Sequence, residues 1–190
     1  TRTNQVVTHF ASMGYAIPGP VLAIGILLPF AWADNTFDAF MRANFGVSTG
    51  LVLSGTLVAL IFAYVVRFLA ISFNTVDSSL AKVTPNMDGA ARSLGLRPGA
   101  TFLRVHLPIM GGSLLTAGLL VFVDVMKELP ATLILRPFDF NTLAVRAFEL
   151  AADERLTESA TPALAIVAAG LIPVILLSRA IARSRPGLGA

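Results

Sequence analysis

Three ionisable residues, Asp124, Lys127 and Glu128, stand at the far end of an otherwise apolar run from Ile109 to Leu129. Charges at membrane depth are costly and tend to mark pathways or paired sites. Asp124 and Glu128 are four residues apart, so on a helix both carboxylates face one direction, and hard oxygen donors suit a hard cation. The same pair could serve an intramembrane enzyme as acid and base. A purely structural account is that Lys127 neutralises both acids at the membrane interface. The spacing leaves all three open. His9 and His106 are too distant in sequence for a local metal motif, and each reads as a partly exposed helix histidine. The chain has no Cys, which excludes a thiolate metal site and a Cys nucleophile. No Ser/His/Asp grouping and no Gly-rich nucleotide loop ending in Lys-Ser or Lys-Thr is present. Accordingly, no residue is assigned a catalytic or metal-binding role.

The elements that hold these residues follow from composition. Of 190 residues, 55% are hydrophobic and 13% charged, with a mean hydropathy of +0.77. A soluble domain carries about 25% charged residues and, at this size, could not bury so much apolar surface by itself. The expected fold class is all-α, a polytopic membrane helix bundle. Four runs approach the roughly 20 residues that cross a bilayer: 15–33, 46–73, 109–129 and 162–181. Pro18, Pro20 and Pro29 interrupt the first, which should therefore face other helices. The second opens with Gly46-x-x-x-Gly50, a spacing that permits close helix approach. Its one charge, Arg67, is expected to snorkel to the headgroups. In the fourth, Thr161 reads as N-cap and Pro162 as the first helical residue, with Ala165 and Ala169 serving helix packing. Tyr15 and Trp32 fit aromatic anchoring at the two interfaces.

Two connecting segments carry helical signals of their own. Thr84-Pro85 reads as N-cap and first residue of a short helix with Met87, Ala90, Ala91 and Leu94 on one face, and Gly95 as its stop. Pro98 opens a second arm that reaches Leu107-Pro108, where the chain re-enters the membrane. Residues 141–156 place Leu143, Ala147, Leu150 and Ala151 at helical spacing among acids, an amphipathic outer helix. With 74–108 and both termini on one side, that side holds nine basic and two acidic residues, and the other four basic and seven acidic. This asymmetry predicts a cytoplasmic 84–108 loop and a cytoplasmic C-terminus. The pI near 10 thus reports orientation, not nucleic acid.

Asp88-Gly89-Ala90-Ala91-Arg92-Ser93-Leu94-Gly95, nine further residues, then Val105-His106-Leu107-Pro108 resemble the EAA loop of ABC-transporter permeases. That pattern is Glu-Ala-Ala, three residues, Gly, nine residues, Ile-x-Leu-Pro. Gly89 stands where the family has Glu, with Asp88 adjacent but about 100° away around a helix. The resemblance implies that Asp88, Gly89, Ala90, Ala91, Gly95, Val105, Leu107 and Pro108 form the knob that couples the permease to a cytoplasmic ATPase dimer. It further implies that ATP and Mg are bound by that partner, and that an extracytoplasmic substrate-binding protein delivers cargo. A second permease half or subunit would complete the path in a bacterial inner membrane.

A narrower resemblance concerns cargo. Asp124-Val125-Met126-Lys127-Glu128-Leu129-Pro130-Ala131-Thr132, then Leu135-Arg136-Pro137-Phe138, Asn141-Thr142-Leu143-Ala144-Val145 and 149–156, are similar to the second half of ferric-iron permeases. Residues 1–190 are then expected to be part of one transmembrane permease domain of a longer polypeptide. Asp124, Lys127 and Glu128 are its candidate transport path. Molybdate and sulfate permeases share the Glu-x-x-Ala-Thr-Leu pattern, so an oxyanion is the alternative cargo, with thiamine a further possibility.

Overall fold

A computed structural model describes residues 14–183 of the chain, so Arg2, His9 and Arg185 lie outside it. The described residues form helices and no strand. Four of the helices are long and apolar enough to cross a membrane: Gly19–Phe45, Leu57–Leu80, Pro98–Met126 and Leu156–Leu176.

The first, α1 (Gly19–Phe45), starts behind Pro18 with Pro20 in its first turn, where a missing N–H is harmless. It does not stop at Ala33 as the polar residues beyond suggest, but continues through Asp34 and Asp38 to Gly46, whose left-handed φ of 69° caps it. Residues 46–56 are non-helical, with Gly50 (φ 63°) and Gly55 (φ 71°) also left-handed. The Gly46-x-x-x-Gly50 spacing therefore belongs to a loop and mediates no helix packing. The second membrane-length helix, α2 (Leu57–Leu80), begins only at Thr56, whose hydroxyl accepts the Val58 N–H at 3.2 Å.

Buried Leu22, Ala23 and Ile26 of α1 pack with Ala59, Leu60 and Ala63 of α2 and with Ala131 and Leu135. Ala23, Ala59, Ala63 and Ala131 are fully buried, and small residues at these points let the backbones approach closely. Gly14 extends the contact: a methyl group there would overlap the Val66 carbonyl oxygen of α2.

A short α3 (Pro85–Ser93) follows, with Pro85 in its first turn. Its end has two reversed bonds, Gly95 N–H to Arg92 O at 2.9 Å and Leu96 N–H to Ala91 O at 3.0 Å, with Gly95 at φ 76°. That is the Schellman arrangement glycine makes possible. Of the expected apolar face only Ala91 is buried, while Leu94 is 81% exposed.

The third membrane-length helix, α4 (Pro98–Met126), absorbs the second arm of the 84–108 segment. Pro108 does not mark a break. Phe102–His106 form a π-helical turn, with the Leu107 N–H bonded to Phe102 O, and this wider turn lets the helix pass a residue that lacks an N–H.

After a break at 127–129 come α5 (Pro130–Leu135), α6 (Leu143–Ala152) and α7 (Leu156–Arg183). α6 is capped by Thr142, which accepts the Val145 N–H at 3.3 Å, and buries Ala144, Val145 and Leu150; of the expected stripe only Leu150 is buried, with Leu143 and Ala151 exposed, because the helix turns the Ala144–Val145 side inward. The Ser159 hydroxyl of α7 donates to Ala147 O at 2.9 Å and ties α6 to α7. α7 begins at Leu156, so Thr161 and Pro162 are interior rather than cap and first residue.

Candidate functional site

The charged cluster at the end of α4 is arranged differently from its spacing. α4 stops at Met126, which separates Asp124 on the helix from Glu128 beyond it. Asp124 Oδ1 pairs with Lys127 Nζ at 2.8 Å. This bond and the aspartate charge hold the Lys127 ammonium above its ordinary value. Glu128 turns elsewhere: its Oε2 lies 3.1 Å from Arg67 Nε, and its Oε1 accepts the Ala131 N–H at 3.2 Å. The two carboxylates thus have separate cations, Lys127 does not neutralise both, and they do not act as a facing pair. No group of three or more metal-ligating side chains occurs among the described residues.

Arg67 also points inward, against the expectation for it. It lies mid-helix in α2 with only 17% of its side chain exposed, and its Nη1 donates to Ile17 O at 3.0 Å. Instead of snorkelling to headgroups, it joins the segment before α1 to the break before α5.

Thr132, fully buried, extends this node. Its hydroxyl donates to Glu128 O at 2.8 Å, so the 2.6 Å bond with Tyr64 has the tyrosine as donor. The neighbouring Arg136 guanidinium bonds Glu149 at 2.9 Å and also Asn141, fastening the 136–142 loop to α6.

A second polar centre escaped the pattern of spans. Asp34, 2% exposed, accepts the N–H groups of Val52 (3.1 Å), Leu53 (2.9 Å) and Ser54 (2.7 Å) and the Ser54 hydroxyl (2.6 Å). One turn later, Asp38 accepts the N–H groups of Thr49 (2.7 Å) and Gly50 (3.1 Å) and the Ser48 hydroxyl (2.9 Å), and pairs with Arg42 (2.6 Å). These carboxylates supply the acceptors that an irregular apolar loop needs beside a membrane. The four-residue spacing of Asp34 and Asp38 ahead of a Gly-rich stretch was the available signal.

The two-armed segment 84–108 is closed by Asp88 Oδ1 and His106 Nε2 at 2.7 Å. Asp88, Arg92, Pro98, Thr101 and His106 line a cleft of about 350 Å³ between the arms. His106 is therefore a partner of Asp88, not merely a partly exposed helix histidine. Gly89 and Ala90 are exposed, and a side chain at position 89 would meet open space. Val105 is half-buried, and Leu107 and Pro108 are exposed on α4.

No family model matches the chain. Over 166 residues it is 28% identical to the Fe(3+)-transport system permease protein FbpB 2 of Haemophilus influenzae, covering 87% of this chain and 29% of that protein. Over 178 residues it is 27% identical to the putative 2-aminoethylphosphonate transport system permease protein PhnV of Salmonella typhimurium, covering 94% and 61% respectively. Over 108 residues it is 31% identical to the sulfate transport system permease protein CysT of Synechococcus elongatus, covering 55% and 36%. The chain spans less than two thirds of the length of each of these relatives. All three are transport permeases, not enzymes, and with four apolar helices they indicate a multi-pass inner-membrane protein. The chain is a relative of the ABC-type permeases of binding-protein-dependent transport systems, and ferric-iron permeases are among those it resembles.

Proposed function

We propose that the chain forms part of the permease of an ATP-driven importer and that its cargo is ferric iron. The observation carrying the transport reading is the continuity of α4, from Pro98 beside the Asp88–His106 clasp to Met126 beside the Lys127–Glu128 break. At 1.5 Å per residue its 29 residues span about 43 Å, more than the hydrocarbon thickness. A partner that grips the arms then moves the charged end as one rigid element. Residues 88–91, Gly95, Val105, Leu107 and Pro108 form the docking knob, and Asp124, Lys127 and Glu128 flank the path. ATP and Mg reside in a cytoplasmic ATPase dimer, a binding protein presents cargo from the opposite face, and a second permease half completes the pathway. The knob and the C-terminus are cytoplasmic on the strength of the charge asymmetry.

Ferric iron is favoured by the likeness to FbpB 2 across most of the chain. An oxyanion is the second reading, supported by the pairing of Asp124 with Lys127 and of Glu128 with Arg67, which leaves these carboxylates already neutralised. The test is uptake of radiolabelled ferric iron, molybdate and a phosphonate in cells whose only such transporter is the full-length protein. Iron uptake should fall to background on deletion of its gene. Iron uptake that persists unchanged would remove the ferric assignment.

A further inference from the structure

The exposed charge on the two-armed segment is positive. From 81 to 108 the only acid is Asp88, and it is turned onto His106 at 2.7 Å. Arg92, Arg97 and Arg104 are exposed, and among the described residues none of them has a carboxylate partner. Arg92 and Arg97 flank the reversed turn at Gly95, where Leu94 is 81% exposed. Gly89 adds neither charge nor bulk. Along the chain the tip is thus an exposed apolar side chain with an exposed cation on either side, Arg92 also reaching the cleft, and its one carboxylate is already held inside the clasp. A tip of this kind needs an apolar socket rimmed by carboxylates, since complementary rim charges steer encounter and fix register.

We propose that the ATPase subunit receives Leu94 in an apolar socket and supplies carboxylates to Arg92 and Arg97, so that in this transporter the membrane chain brings the cations. Asp88 then acts through His106 as a positioning residue that holds the arms at their spacing. This proposal rests on the reading of the segment as an ATPase-docking knob.

The experiment uses the full-length protein co-expressed with the ATPase subunit of its own transporter. In an Arg92→Lys/Arg97→Lys variant, which keeps both charges, a zero-length carbodiimide coupling should join position 92 or 97 to an Asp or Glu of the ATPase, identified by peptide mass. An Arg92→Glu/Arg97→Glu variant should lose at least about tenfold in ATPase affinity, with the loss shrinking at high salt. Normal affinity in that variant, with binding abolished by Gly95→Pro, would overturn the charge assignment and leave the docking reading standing. Normal affinity in both variants would overturn both. If charge reversal spares ATPase affinity but abolishes binding to phosphatidylglycerol vesicles, the cations serve lipid and the proposal fails.

Discussion

Arg67 Nε lies 3.1 Å from Glu128 Oε2, an ion pair that joins the middle of α2 to the break between α4 and α5. The glutamate side chain is 8% exposed and the arginine 17%, so neither charge is well hydrated and each relies on the other. The two deletions are nevertheless unequal. Arg67→Met strands a buried carboxylate and should cost about 3–5 kcal/mol. Glu128→Gln keeps an acceptor for the Ala131 N–H and leaves Arg67 bonded to Ile17 O, so about half that loss is expected. An Arg67→Met/Glu128→Leu double variant should recover part of it. Denaturant unfolding of the full-length protein in mixed micelles reads these values. Equal losses for the two single variants would refute the asymmetry.

Asp34 and Asp38 anchor the same loop with different burial. Asp34→Ala strands the N–H groups of Val52, Leu53 and Ser54 and should destabilise by about 3 kcal/mol. Asp38 serves half-buried Thr49 together with Ser48 and Gly50, which are exposed and can turn to water, so Asp38→Ala should destabilise less than Asp34→Ala. Amide exchange distinguishes them: Asp34→Ala should release the amides at 52–54, and Asp38→Ala only those at 49–50. Protection of 52–54 in Asp34→Ala would argue against the caged-carboxylate account.

The donor order Tyr64 to Thr132 to Glu128 O sets a ranking. Tyr64→Phe removes one bond and leaves Thr132 satisfied, at about 1 kcal/mol. Thr132→Val removes both bonds at similar volume and leaves the Tyr64 hydroxyl and the Glu128 carbonyl unpaired, at about 2–3 kcal/mol. A Tyr64→Phe loss larger than that of Thr132→Val would reverse the inferred direction.

Gly95 sits at φ 76°, where an L side chain is strained. Gly95→Ala should cost about 1 kcal/mol, and Gly95→Asn less, because asparagine tolerates the left-handed region. The readout is local, as exchange protection of the Gly95 and Leu96 amides that close the turn on Arg92 and Ala91. Unchanged protection in Gly95→Ala would show that the turn does not depend on glycine.

Lys127 gives a pH expectation. Its bond to Asp124 raises the ammonium above its ordinary value, so the contribution is full below about pH 10.4 and is lost only as pH rises through the folded-state value. The stability difference between the parent and Lys127→Met should therefore stay constant between pH 6 and 9. A pH-dependent difference between them inside that window would contradict the pairing.

Four apolar helices, the start of α3 at Thr84-Pro85, its stop at Gly95 and the presence of a helix at α6 were legible in the residues alone, because each follows from local signals, although the buried side of α6 was not. Composition selects lipid as solvent, Pro fits a first turn, and Gly alone enters a left-handed turn cheaply. Where the helices end depended on packing between distant segments. Residues 46–56 carry no charge and lead straight into an apolar run, yet they form a loop because Asp34 and Asp38 of the preceding helix satisfy their N–H groups. Packing also decided the partners of Asp124 and Glu128: α4 ends at Met126, so helical spacing ceases to apply, and Arg67 arrives from another helix. Spacing along a chain reports which side chains share a face while the helix lasts, whereas a buried charge is assigned by the counter-charge that packing brings to it.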